Sequence, residues 1–163
     1  MTYFPDLSRF TYQGLNSNSV SGLMFDTQNT VNIGWLGEGQ PFPTGETSSE
    51  FKERLLEFCF YDHAFNKTRG NHSCELPECP IEAGIMGKTP APLKRGEQTA
   101  WFGSHEIRVV GSSRVYAAPT MIYHYVTDHN YLPPEEFIQA VLTGPGPGTD
   151  SYWEQYRRLE KAS

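Results

Sequence analysis

The sequence predicts an α+β fold, a single domain over residues 1–163 in which an antiparallel sheet packs against three to four helices. Three observations lead there. Short apolar segments bounded by Gly, Pro, Asn and Asp read as strands. Amphipathic stripes that follow capping signals read as helices. A polar stretch rich in Gly and Pro, residues 66–95, reads as a long loop between the two kinds of element. With 163 residues the chain can bury a continuous core without disulfides. Only 37% of it is hydrophobic while 13% is aromatic, so the core should be built largely from rings.

The first eighteen residues, with Pro5, Gly14 and closely spaced Asn and Ser, read as a packed but irregular arm. Val20–Phe25 and Asn29–Leu36 read as a β-hairpin, with Val31, Ile33 and Trp35 alternating toward one face. Thr47-Ser48-Ser49-Glu50 is a capping box that opens a helix over 48–61, where Phe51, Leu55, Phe58 and Cys59 form the buried stripe. Thr99–Phe102, His105–Val110 and Arg114–Ala118 read as strands, the last two joined tightly through Gly111-Ser112-Ser113. A helix over 119–130 starts at Pro119 and ends at Asn130. The next, 134–143, begins with Pro134 and two glutamates and is stopped by Gly144-Pro145. A last helix runs to Leu159 from a cap at Asp150 or Ser151.

Nineteen acidic against 13 basic side chains give a net charge of −6, which repels phosphate backbones and argues against nucleic acid as a partner. No run of 18 apolar residues is present, so no membrane helix is expected. The start, Met1-Thr2-Tyr3-Phe4-Pro5-Asp6, lacks the basic and apolar regions of a signal peptide, so a cytoplasmic location is expected. In a reducing compartment the three cysteines read as metal ligands or core thiols rather than disulfide partners.

The strongest chemical signal is His72-Ser73-Cys74-Glu75-Leu76-Pro77-Glu78-Cys79. His72 and Cys74 are two apart and point the same way from an extended chain, and Pro77 can turn Cys79 back toward them. Four residues between cysteines is a spacing used by structural zinc, which takes four N or S ligands. The expected set is His72, Cys74, Cys79 and His129, with His124 the alternative to His129. A zinc ion would order the 66–95 loop, whose apolar content is low. Cys59 reads as a core thiol; a Cys59–His63 dyad is a weak alternative.

Other chemistries fit poorly. His105-Glu106 follows the cysteines instead of preceding them, contrary to a zinc deaminase, and lacks the second histidine of a metalloprotease helix. Thr127-Asp128-His129 has no downstream histidine to complete an HNH nuclease. Gly34–Gly39 has the wrong order for a dinucleotide loop, and Gly87-Lys88-Thr89 lacks the earlier glycine of a phosphate loop. Two function classes remain. One is a binding module with structural zinc that recognises a protein partner in an immunity, regulatory or accessory role. The other is a zinc hydrolase with an open metal position and Glu75, Glu82 or Glu106 as general base. The catalytic residues of the second are not otherwise specified by the sequence. Two or three of Trp35, Phe42, Tyr61, Trp101, Tyr123, Tyr131 and Trp153 sharing a surface would mark a protein interface.

Several of these segments together resemble an uncharacterised family of small bacterial proteins. They are Glu106–Val109, Tyr116–Val126 with His129 and Tyr131, Pro133–Phe137, Asn32–Leu36, Phe42-Pro43 and Thr68–Glu75. The resemblance spans most of the chain. It implies a bacterial, cytosolic, independently folding unit with no established activity.

Overall fold

A computed structural model describes residues 3–10, 29–66, 71–85 and 87–161. The expected strand Val20–Phe25, most of the N-terminal arm and Thr68-Arg69-Gly70 lie outside the described residues. Five strands and four helices follow in the order β1 (Thr30–Asn32), α1 (Ser49–Cys59), a 3-10 turn (Tyr61–His63), β2 (Leu93–Arg95), β3 (Gln98–Ala100), β4 (Glu106–Val110), β5 (Val115–Pro119), α2 (Ile122–His129), α3 (Glu135–Thr143) and α4 (Asp150–Lys161). The class is α+β.

The sheet is mixed rather than wholly antiparallel. Its order is β1-β5-β4, with β4 antiparallel to β5 and β1 parallel to it. The β4–β5 pair is set locally, by a four-residue turn in which the Gly111 N–H donates to the Arg114 carbonyl at 2.9 Å. No such hairpin constrains β1, which meets β5 from across the chain with Thr30 opposite Val115 and Asn32 opposite Ala117. Residues 7–10 then cover the outer edge of β1: Phe10 N–H donates to Thr30 O at 2.9 Å and Asn32 N–H to Ser8 O at 2.8 Å. An open strand edge is thereby removed.

The expected alternation of Val31, Ile33 and Trp35 stops at Gly34, whose φ of +71° ends the strand. A Cβ there would lie 2.9 Å from Ile122, so the glycine also lets α2 approach. Ile33 consequently enters the main core, whereas Trp35 joins Phe10 and Ala117 in a smaller cluster and donates its indole N–H to Ala117 O at 2.9 Å.

Helix boundaries differ from expectation by their caps. Ser48, not Thr47, caps α1: its Oγ accepts the Phe51 N–H at 3.1 Å. Glu50 then faces Arg54 one turn on at 3.4 Å instead of reaching back. Pro119 closes β5 opposite Glu106, beyond the last residue paired with β1, where its missing N–H is tolerated; α2 starts three residues later. Thr149, not Asp150 or Ser151, caps α4 by accepting the Tyr152 N–H at 3.2 Å.

Rings meet throughout the core but share it with a larger number of aliphatic side chains, Ile33, Leu55, Ile107 and Val115 among them. Phe51 meets Phe137 edge-on at 6.3 Å, Tyr116 meets Phe137 at 5.7 Å, and Phe65 stacks on Tyr156 at 6.4 Å. Cys59 is fully buried from α1, and burial pushes its thiol pKa far upward, so it is an inert core group. His63 instead packs against Gly148 in the 3-10 turn that follows. The 66–95 stretch is not irregular throughout, because β2 pairs with β3 across a two-residue Gly96-Glu97 turn. Among the described residues no helix is long and apolar enough to cross a membrane.

Candidate metal centre

Two pieces of chain converge at one end of α2. The first is the loop before the β2–β3 hairpin, which is docked by its own contacts. Leu76 is buried in the main core, the Cys74 N–H donates to Lys88 O at 2.8 Å, and Asn71 Nδ2 donates to Thr89 Oγ1 at 2.8 Å. Pro77 and Glu78 make the turn, with Glu78 at φ +58°, and carry Cys79 back beside Cys74. The second piece is the last two turns of α2, which ends at His129 because Asn130 adopts the left-handed conformation (φ 53°, ψ 28°) and donates its N–H to Tyr125 O.

Cys74, Cys79, His124 and His129 place one ligand atom each within 4.8 Å of one another. Cys74 Sγ lies 3.4 Å from His129 Nε2, and Cys79 Sγ lies 3.5 Å from His124 Nε2. In a tetrahedron with bonds of about 2.3 Å to sulfur and about 2.05 Å to nitrogen, neighbouring S and N ligands are about 3.5 Å apart. The two separations match such a tetrahedron's edges. The imidazole rings stand at right angles, 89° between planes with centroids 5.0 Å apart, so both Nε2 atoms reach one point without the rings stacking. Two thiols and two imidazoles form a borderline-soft donor set suited to zinc.

The surroundings prepare these groups to bind a cation. His124 is fully buried, and Asp128, one turn along α2, has Oδ2 2.6 Å from its Nδ1. With the Nδ1–H donated to that carboxylate, the Nε2 lone pair faces the sulfurs, the carboxylate–imidazole arrangement found behind metal-bound histidines. Burial holds the pKa of His124 below the usual imidazole value against the opposing pull of Asp128. It lowers His129 likewise, helped by His124. Both effects favour the neutral ring, the form that binds a metal. Burial pushes the Cys74 thiol up to about 12; the adjacent Cys79 adds to this, while the Leu76 N–H and Lys88 oppose it. A thiolate here is costly until a dication balances it.

Of the residues expected at the site, the structure brings Cys74, Cys79 and His129 together. His72 is not in the group. It is exposed, and its backbone N–H donates to Gly103 O at 2.7 Å, whereas His124 is the fourth member of the group. His124 was open to discovery from spacing. His124 and His129 have four residues between them, which falls in the range of the second half of a Cys2His2 set, just as Cys74 and Cys79 fall in the range of the first. They lie about 140° apart around α2, yet their ring centroids are 5.0 Å apart and each Nε2 reaches a cysteine of the loop.

The family follows from a wider comparison. A model described as Domain of unknown function (DUF7919) matches residues 2–142. The chain belongs to the DUF7919 family. The match includes all four Cys and His positions together with the loop, the sheet and α2, whereas α4 lies beyond it. No curated protein and no solved structure matches the chain. None of the remaining candidates is a member of the group, although Glu75 adjoins Cys74. His105 Nδ1 is 3.2 Å from Ser104 Oγ and its ring meets Tyr61, Glu106 is buried 3.7 Å from Arg108, and Glu75 and Glu82 are exposed on the loop.

Proposed function

We propose that Cys74, Cys79, His124 and His129 hold a zinc ion in a structural role, and that this DUF7919 domain is a cytosolic protein-binding module rather than a zinc hydrolase. The observation that carries this reading is that four protein ligand atoms converge. Catalytic zinc keeps a position for water, and four side chains leave none. Glu106, one of the bases a hydrolase would use, is held with Arg108 in the core, which favours the same reading.

Bound there, zinc would supply a fixed cross-link between a loop and a helix that lie on opposite sides of β2–β5 in the sequence. The chain's own residues do the rest. Asp128 sets the tautomer of His124, the Leu76 N–H supports the Cys74 sulfur, and core burial of Leu76 positions the loop. Reduced thiols suit a reducing compartment.

The test is elemental analysis of the purified full chain, with thermal unfolding before and after chelation and the visible spectrum of the cobalt(II)-loaded protein. One metal per chain, a tetrahedral thiolate spectrum and a lower melting temperature after chelation are expected. His72→Ala should keep the metal, and His124→Ala and Cys79→Ser should lose it. Absence of stoichiometric metal, or its loss from His72→Ala with retention in His124→Ala, defeats the proposal. A cobalt spectrum that responds to added inhibitory anions would favour an open position and hence the hydrolase.

A further inference from the structure

The antiparallel bridge between Phe60 and Ala100 fastens the end of α1 to β3. Both bridge residues are buried, at 1% and 0% exposure, and the residues that follow them, one opening the 3-10 turn and one leaving β3, turn outward. Those residues are Tyr61 and Trp101, which are 47% and 48% exposed. They line one depression of about 200 Å³, together with Asp62 from the 3-10 turn and Glu97 from the tip of the β2–β3 hairpin. His105 braces the Tyr61 ring edge-on at 5.7 Å.

The chemistry of the lining selects its occupant. Aromatic faces attract cations, and Arg or Lys over Trp is the strongest such pair. Both carboxylates are exposed, and among the described residues neither has an ion-pair partner. Arg95, in the adjoining strand, already lies over Phe60 at 5.8 Å and 4.0 Å from Glu57. An apolar occupant would desolvate Asp62 and Glu97 without compensation, and an acidic one would be repelled by them and by the net charge of −6.

We infer that this depression docks an arginine- or lysine-bearing segment of a partner protein, with the cation over Trp101 and its charge met by Asp62 and Glu97. The inference rests on the reading of the domain as a protein-binding module and supplies its surface and the chemistry of its partner. The site is separate from the Cys2His2 group, none of whose members lines the depression.

The test uses the metal-loaded full chain and three blocked glycine–serine peptides carrying two arginines, two glutamates or two leucines. Binding is followed by tryptophan fluorescence and mapped by amide chemical shifts. The arginine peptide should bind, shift amides around Tyr61 and Trp101, and weaken as salt is raised. Trp101→Ala should weaken it about fivefold, and the double change Asp62→Asn with Glu97→Gln by at least as much. The double change should leave the melting temperature unchanged, because Asp62 and Glu97 are exposed, whereas Trp101→Ala should lower it somewhat because half of that ring is buried. Equal binding of the arginine and glutamate peptides, or wild-type binding by both variants, overturns the inference. Binding of the glutamate or leucine peptide at another face would overturn it while leaving the module reading intact, and binding of none of the three would count against both.

Discussion

Replacing Asp128 with Asn tests whether the carboxylate behind His124 serves the metal centre or merely the helix. Its Oδ2 is 2.6 Å from His124 Nδ1, and the opposite ring nitrogen is 3.5 Å from Cys79 Sγ. Asparagine keeps the size and a carbonyl acceptor for the Nδ1–H, so the ring stays oriented, but the charge that raises the imidazole's basicity is gone. Partners of this kind change metal affinity by about 10–100-fold. The Asp128 side chain is 38% exposed, so water screens its charge and the lower end applies. The expected loss is about tenfold, or about 1.4 kcal/mol. Asp128→Ala, which also removes the acceptor, should approach the upper end of that range. Zinc affinity is read by competition with a chromophoric chelator at fixed pH. The metal-free protein is the control: there Asp128→Asn keeps an acceptor for the buried His124 Nδ1–H and removes only the charge, so its melting temperature should fall less than that of the metal-loaded form. Unchanged zinc affinity, or equal destabilisation of metal-free and metal-loaded protein, would refute the assignment.

Other outcomes follow from the same structure. Leu76→Ala should destabilise the protein by about 2–5 kcal/mol with or without metal, because Leu76 is 5% exposed in the main core; denaturant unfolding of both forms checks this. Ser48→Ala should cost about 1 kcal/mol through the lost cap on Phe51 N–H, whereas Thr47→Ala should not remove that bond. Burial raises Tyr116 to about 12, with Glu136 adding to it, and raises Tyr125, Tyr131 and Tyr152 further. A raised folded pKa means that stability is complete below the unfolded value near 10 and is lost as pH climbs above it. Tyrosinate absorbance should therefore rise in two stages, the second coincident with loss of helical circular dichroism. Smooth titration of all tyrosines near pH 10 in folded protein would contradict the burial of these four.

What the sequence made legible was whatever is decided locally. The stripe of α1, the β4–β5 hairpin, the Gly144 stop of α3 and the cysteine pair each depend on residues a few positions apart. What it hid depends on distant contacts or on small shifts at element ends. The parallel seating of β1 on β5 is a pairing across more than 80 residues, invisible to local periodicity. Ser48 rather than Thr47 caps α1 because one residue's difference in where the helix begins decides which oxygen meets which amide. Backbone spacing sets His124 and His129 about 140° apart around α2, and only their side chains, each reaching a cysteine of a distant loop, bring them together.

The loop that contributes the cysteines changes how the metal's role is weighed. Its composition suggests a segment that burial cannot order, in which zinc would stand in for a missing core. Leu76, between the two cysteines, is instead part of the core, and hydrogen bonds to Lys88, Thr89 and Gly103 tie down the flanking residues. The loop therefore has a docked position that does not require the ion. Zinc-finger peptides collapse on chelation because their metal is most of their folding free energy. This domain should instead keep its sheet and helices when the metal is removed, because Phe51, Ile107, Tyr125 and Phe137 remain buried in a core independent of the ligands. Chelation should release amide protection around 74–79 and at the end of α2 while leaving β4 and β5 protected. Hydrogen exchange resolves the two cases, and global loss of protection on chelation would show that the core is weaker than its burial implies.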